Sequence, residues 1–192
     1  MPYSQTIETV RQTLQQTFDE LDIWFDQSEE VRAYKPKDGG WSIDELLAHV
    51  TLTSHFLLIV IRNGAIKAAK RAARGVPIVG EEADLEMMSL IGHPDAFAWL
   101  RPEHMEPTRS HTNTAVRVTM REQQRECLEI LARMGNGEGS LHKVRMSVQN
   151  LGKLDLYQWL YFLALHARRH LAQIESVWRE QPQQAKLIAN SF

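Results

Sequence analysis

Residues 155–180 read DLYQWLYFLALHARRHLAQIESVWRE, and this stretch decides the fold. Asp155 with Gln158 three residues later has the spacing of a capping box, in which each side chain satisfies a backbone N–H that the first helical turn leaves without a partner. Pro182 stops the pattern at the other end, so a long helix is predicted to about Glu180. Along it Leu156, Trp159, Leu163, His166, His170, Ile174 and Val177 recur three or four residues apart and fall on one face. That face has to be buried. Two of its members are histidines, standing where leucines would be expected.

Working outward, Ser42 and Glu45 have the same capping-box spacing and predict a helix that starts near Ile43. Its inward stripe reads Leu46, His49, Val50, Thr53, Leu57 and Val60, and the pattern runs past Asn63 and Gly64 to end near Arg74. Before it, Ile7, Val10, Leu14, Phe18, Leu21 and Phe25 mark one greasy face of a helix of about 25 residues. Lys35 to Gly40 then supplies turn chemistry. A third helix is predicted from Thr114 to Met134, with Val116, Met120, Cys127, Leu131 and Met134 inward, ended by the Gly135 to Gly139 cluster. No convincing alternating strand run occurs. The expectation is one all-α domain over residues 1–192, an antiparallel four-helix bundle in its simplest topology.

Between the second and third of these helices lies a long connection, Gly75 to Asn113. Pro77, Pro94, Pro102 and Pro107 break any long helix in it, although Asp84 to Ile91 can form a short one. Connections of this length inside a compact domain are commonly lids, binding loops or contact surfaces. This one carries Phe97, Trp99 and Met105.

Composition narrows the function. With 43% hydrophobic and 24% charged residues the chain is an ordinary folding sequence. Twenty-two Lys+Arg against 24 Asp+Glu leave a net charge of -2, so no positive field draws it to nucleic acid or anionic lipid. Unbroken apolar runs such as Phe56 to Ile61 are far short of the roughly 20 residues a spanning helix needs, and MPYSQT lacks a signal pattern. A cytoplasmic protein with neither nucleic-acid nor membrane partners is expected. Cys127 is the sole cysteine, which excludes an internal disulfide and a cysteine-rich zinc cluster.

Eight histidines are the unusual component. His166 and His170, at i and i+4, place two imidazoles on one helix face about 5 to 6 Å apart, a spacing one metal ion can bridge. His49 stands on the inward stripe of the second helix. Each can be a separately satisfied core histidine, since burying an imidazole is tolerated when it is hydrogen-bonded. If the second and fourth helices are neighbours, the three can instead meet around one divalent cation and leave a position open, as catalytic metal sites do. Glu45 and Thr53, one turn either side of His49, and Gln173, on the face of His166 and His170, are candidates to orient those rings or contact a metal-bound group. Ala167, Arg168 and Arg169 lie between the paired histidines, so the glutamate of HExxH peptidases is absent. His55 faces elsewhere. His93, His104, His111 and His142 fall in loops, and Lys67, Lys70, Arg71 and Arg74 read as a solvated face.

The stretch GWSIDELLAH at 40–49, together with Gly152, Lys153, Leu154, Tyr157, Gln158 and Trp159 ahead of HARRHLAQI at 166–174, resembles the DinB/YfiT-like superfamily. The resemblance covers most of the chain. It implies a four-helix bundle with a metal held by one histidine of the second helix and an HxxxH pair of the fourth, here His49, His166 and His170. It also implies a hydrolase, or a transferase or isomerase using a low-molecular-weight thiol such as glutathione, mycothiol or bacillithiol, frequently a homodimer, with no DNA binding. The Gly75 to Asn113 segment matches least, and Val148, Gln149 and Asn150 lack a His-Pro pair often found there.

The function expected is therefore a mononuclear metal-dependent enzyme that activates water or a thiol against a small-molecule substrate. Three imidazoles suit Zn²⁺, Ni²⁺ or Fe²⁺, and also Co²⁺ or Cu²⁺. Two other readings compete. One is a non-catalytic dimeric, stress-related bundle that binds a metal or ligand; the other is a metal-free interaction protein using Phe97, Trp99 and Met105.

Overall fold

The computed structural model describes residues 2–93, 96, 105–107, 111–148 and 151–181. Helix α1 spans Ser4–Ile23 and tightens into a 3-10 turn at Trp24–Asp26; α2 is Glu29–Ala33, α3 Ile43–Ala73, α4 Asn113–Ala132 and α5 Leu156–Glu180. Among the described residues the chain is all-α apart from one small hairpin. In it β1, Val144–Met146, pairs antiparallel with β2, Gly152–Leu154, in the register Val144 to Leu154. Strands of three residues are too short to show a period-two pattern, which is why none was expected. The short α2 was likewise not anticipated; Ser28 caps it by accepting from Val31 N.

Four long helices form a closed cycle of contacts, α1 on α5, α5 on α3, α3 on α4 and α4 on α1. The predicted faces meet in its centre. Val10, Leu14, Phe18 and Leu21 of α1 are buried, as are Met120, Cys127 and Leu131 of α4. Burial pushes the Cys127 thiol up to about 12, so it is a core residue and no nucleophile. Gly64 lets α3 pass close to the start of α5, since a Cβ there would lie 2.8 Å from Leu156 Cδ2.

Two details differ from the stripe reading. In α3, Leu58 and Ile61 are fully buried while Leu57 and Val60 are half-buried. All four are apolar, so sequence alone does not choose between them; the choice is made by α3 facing both α4 and α5. In α5, Leu160, Phe162, Leu165 and Leu171 are buried as well as the predicted stripe. This wider face is covered by α1 and by the long connection. Its 3-10 segment Glu86–Gly92 packs on α5, burying Met88 and Ile91. Upstream, the Tyr3 hydroxyl donates to the Val79 carbonyl at 3.2 Å and Thr6 N donates to Glu82 at 2.7 Å, so the connection also ties down the start of α1. Phe97 and Trp99 lie outside the described residues.

By length and composition α3 contains an 18-residue window apolar enough to cross a membrane, with mean hydropathy 1.4. Half of that window is buried inside the protein. The helix serves as a core element packed on α4 and α5.

On the surface, Arg117 and Arg121 of α4 each donate through Nη2 to Asp22 Oδ2 of α1 at 2.7 Å, and Arg117 also reaches Asp26. The Arg117 and Arg121 hydrogen bonds hold the Asp22 carboxyl well below the usual carboxylate range. A folded-state pKa lowered in this way stabilises the fold above the unfolded value of about 3.9, and that contribution is lost as pH falls through the folded value. Asp22→Asn is therefore expected to be less stable to urea than wild type at pH 7, with the gap narrowing below about pH 4. A gap unchanged between pH 7 and pH 3 would refute the linkage.

Candidate metal centre

Both capping boxes form. Ser42 N donates to Glu45 Oε2 at 2.8 Å and Glu45 N to Ser42 Oγ at 3.3 Å, which sets the start of α3 two turns ahead of His49. Asp155 N and Gln158 N exchange 3.0 Å hydrogen bonds with each other's side chains, which sets the phase of α5 and turns His166 and His170 toward α3. Because α3 and α5 are neighbours, the three rings converge. His49, His166 and His170 are 4%, 5% and 6% exposed, and one nitrogen from each lies within 4.8 Å of the others. The His49 and His170 ring centroids are 4.6 Å apart, as are those of His166 and His170.

The hydrogen bonds around the rings assign their tautomers. His49 Nδ1 lies 2.7 Å from the backbone carbonyl of Met105. A carbonyl only accepts, so Nδ1 carries the proton and Nε2 keeps its lone pair. His170 Nδ1 lies 2.7 Å from Gln173 Oε1, and the same argument leaves its Nε2 a donor to a metal. His170 Nε2 and His166 Nε2 stand 3.2 Å apart. Two nitrogens each about 2.0 to 2.1 Å from one tetrahedral ion are separated by about 3.3 Å, so this pair has the edge length of such a site. Burial, followed by the neighbouring His170, His49 and Arg169, pushes His166 well below the ordinary imidazole value. It is neutral at neutral pH, the form that ligates. Residues and geometry thus fit a divalent ion.

A sequence model of the DinB superfamily matches residues 6–174, from the first turn of α1 to beyond His170. The chain belongs to the DinB superfamily. Searches among curated proteins and among solved structures find no match. The superfamily is generally metal-dependent, and the match takes in all three histidines of this DinB chain.

The other candidates separate by position. Thr53 Oγ1 is 3.4 Å from His49 Nε2, beside the nitrogen set. Gln173 orients His170, as above. Glu45 completes the helix cap and pairs with Lys35, so its carboxylate is engaged at the start of α3. His55, His93 and His111 are exposed and His142 is half-buried, all outside the cluster; His104 falls outside the described residues.

Three participants escaped the sequence reading. Trp41 packs its ring on His49, centroids 4.7 Å apart, giving the GW pair ahead of α3 a physical role. Met105 acts through its main chain, and no side-chain pattern announces a carbonyl. Arg169 is 7% exposed in α5 and donates to the His93 carbonyl, joining the helix that carries two of the histidines to the long connection.

Proposed function

We propose that this DinB chain is an antiparallel four-helix bundle enzyme holding one divalent ion through His49, His166 and His170. The observation that carries the reading is the trio of buried imidazoles within 4.8 Å, two of them with Nδ1 committed to an oxygen and Nε2 left as a lone pair. A divalent ion bound there supplies the Lewis acidity that brings water or a thiol to its nucleophilic form near neutral pH. The chain's own groups do the rest. Met105 and Gln173 hold the rings in one tautomer, the surrounding helices exclude bulk water, and Thr53 stands where its hydroxyl can orient a bound group.

The reaction class proposed is hydrolysis or thiol-dependent S-transfer on a small molecule, with Zn²⁺, Ni²⁺ or Fe²⁺ as the ion and a low-molecular-weight thiol as co-substrate in the second case. A cytoplasmic homodimer with neither nucleic-acid nor membrane partners completes the proposal, in keeping with the net charge of -2. The test is a panel of esters, amides and thiol-plus-electrophile pairs, each run with and without added metal. We expect metal-dependent turnover in one class. No metal-dependent turnover anywhere in the panel would count against both routes. The near-complete burial of all three histidines also favours a second reading, a metal that stabilises the bundle without catalysis.

A further inference from the structure

Where the start of α3 faces the start of α4 there is a cavity of about 330 Å³. Its wall includes Ala48, the residue before His49, and Pro107, two residues beyond the Met105 carbonyl that holds His49 Nδ1. Two separate stretches of chain therefore lead directly from the histidine cluster to this cavity. The wall is mixed in character. Ala48, Pro107 and Val116 offer apolar surface, and Asp44 and Asn113 stand among them.

Asp44 Oδ1 and Asn113 Nδ2 are both buried without a hydrogen-bond partner. Folded proteins rarely leave such atoms unsatisfied, because desolvating a polar group without replacing its water is costly. The residues that carry this acceptor and this donor both line one cavity, and turned toward it the two atoms complement a group that carries one of each. Arg32 Nε, likewise buried without a hydrogen-bond partner, forms an ion pair with Asp44 Oδ1 at 3.6 Å, which offsets the carboxylate charge without supplying a hydrogen bond. A neutral partner is favoured over a cationic one.

We propose that this cavity is the substrate subsite of the metal centre and takes a small neutral carboxamide with a short apolar tail. Slight side-chain rotation brings the ligand carbonyl to Asn113 Nδ2 and its N–H to Asp44 Oδ1, while the tail lies on Ala48, Pro107 and Val116. The proposal rests on the metal-enzyme reading for the word substrate, but the binding itself needs no ion.

Ligand-observed NMR titration of the metal-free full chain tests it, with hexanamide and its shape-matched ester methyl pentanoate as probes. Hexanamide is expected to bind several-fold more tightly. Asp44→Ala should weaken the amide by about fivefold, the scale of one hydrogen bond, and leave the ester, which has no N–H, within about twofold, whereas Asn113→Ala should weaken both probes, since each has a carbonyl. Asn113→Asp, which keeps the side-chain size and removes the donor, should also weaken the amide, and circular dichroism verifies that each variant is folded. Equal affinity for amide and ester, or an amide affinity indifferent to these variants, overturns the subsite. Metal titration of the same samples separates the two proposals. Metal bound without amide preference sinks the subsite alone; amide preference without metal binding leaves the pocket and removes the metal centre beside it.

Discussion

Replacing His49 and His166 together by alanine is expected to strip the protein of its ion. Tag-free wild-type protein purified without chelators should carry about one divalent transition metal per chain, and the double variant close to none, by elemental analysis. The expectation follows from the geometry. Three imidazole nitrogens within 4.8 Å make up the nitrogen set among the described residues, and the substitutions leave His170 as its one remaining imidazole. A single neutral imidazole in a buried site does not compete with water for a divalent cation. The melting temperature of the same pair of proteins distinguishes an enzyme from a metal-stabilised bundle. A structural ion is part of the folding free energy, so its loss should lower the midpoint steeply; a catalytic ion should leave a modest shift together with abolished turnover. Wild-type protein that holds no metal after incubation with several divalent ions and desalting would return the histidines to the core.

The second large effect is on stability and lies away from the histidines. Gly139, in the 3-10 turn Glu138–Leu141, sits against the ring of Tyr157, and a Cβ at that position would lie 2.7 Å from Cζ and 2.8 Å from Cε2. The ring has nowhere to go. Tyr157 is fully buried, stacks on Tyr3 with centroids 5.4 Å apart, accepts from Gly139 N at 3.2 Å and donates to the Met134 carbonyl. Gly139→Ala must overpack the core or break those hydrogen bonds, for about 3 kcal/mol in all. At about 2 to 4 °C per kcal/mol for a chain of this size, the midpoint should drop by about 10 °C. In a Tyr157→Leu background the same substitution should cost much less, because the ring it strikes is gone. A midpoint within about 2 °C of wild type for the single variant would contradict this packing.

The helices were legible because their signals are local. Ser42 with Glu45 and Asp155 with Gln158 mark two helix starts to the residue, and Pro182 and Gly135 mark ends within a turn or so. Three histidines on apolar faces were legible for the same reason, since the helical period reports which residues must be buried. The period does not report what a face packs against. Leu57 and Leu58 are equally apolar, and only the position of α4 and α5 around α3 buries the second fully. The small hairpin after α4 and the short α2 were too brief to leave a periodic trace.

What the sequence determined by itself is the all-α class, the starts of α3 and α5, and the inward placement of His49, His166 and His170, because caps and 3.6-residue periodicity depend on neighbours along the chain. The DinB motifs around 40–49 and 152–174 are of the same kind. Only the tertiary structure decided that α3 and α5 are neighbours, so that the three rings share one space, and that a carbonyl from Met105, 56 residues away, sets the tautomer of His49. It also decided that the connection covers α5 and brings Pro107 to a cavity beside the histidines. Those facts rest on contacts between residues far apart in the chain, one of them made through a backbone carbonyl that every residue type possesses, and neither capping nor helical period reports which distant segments meet.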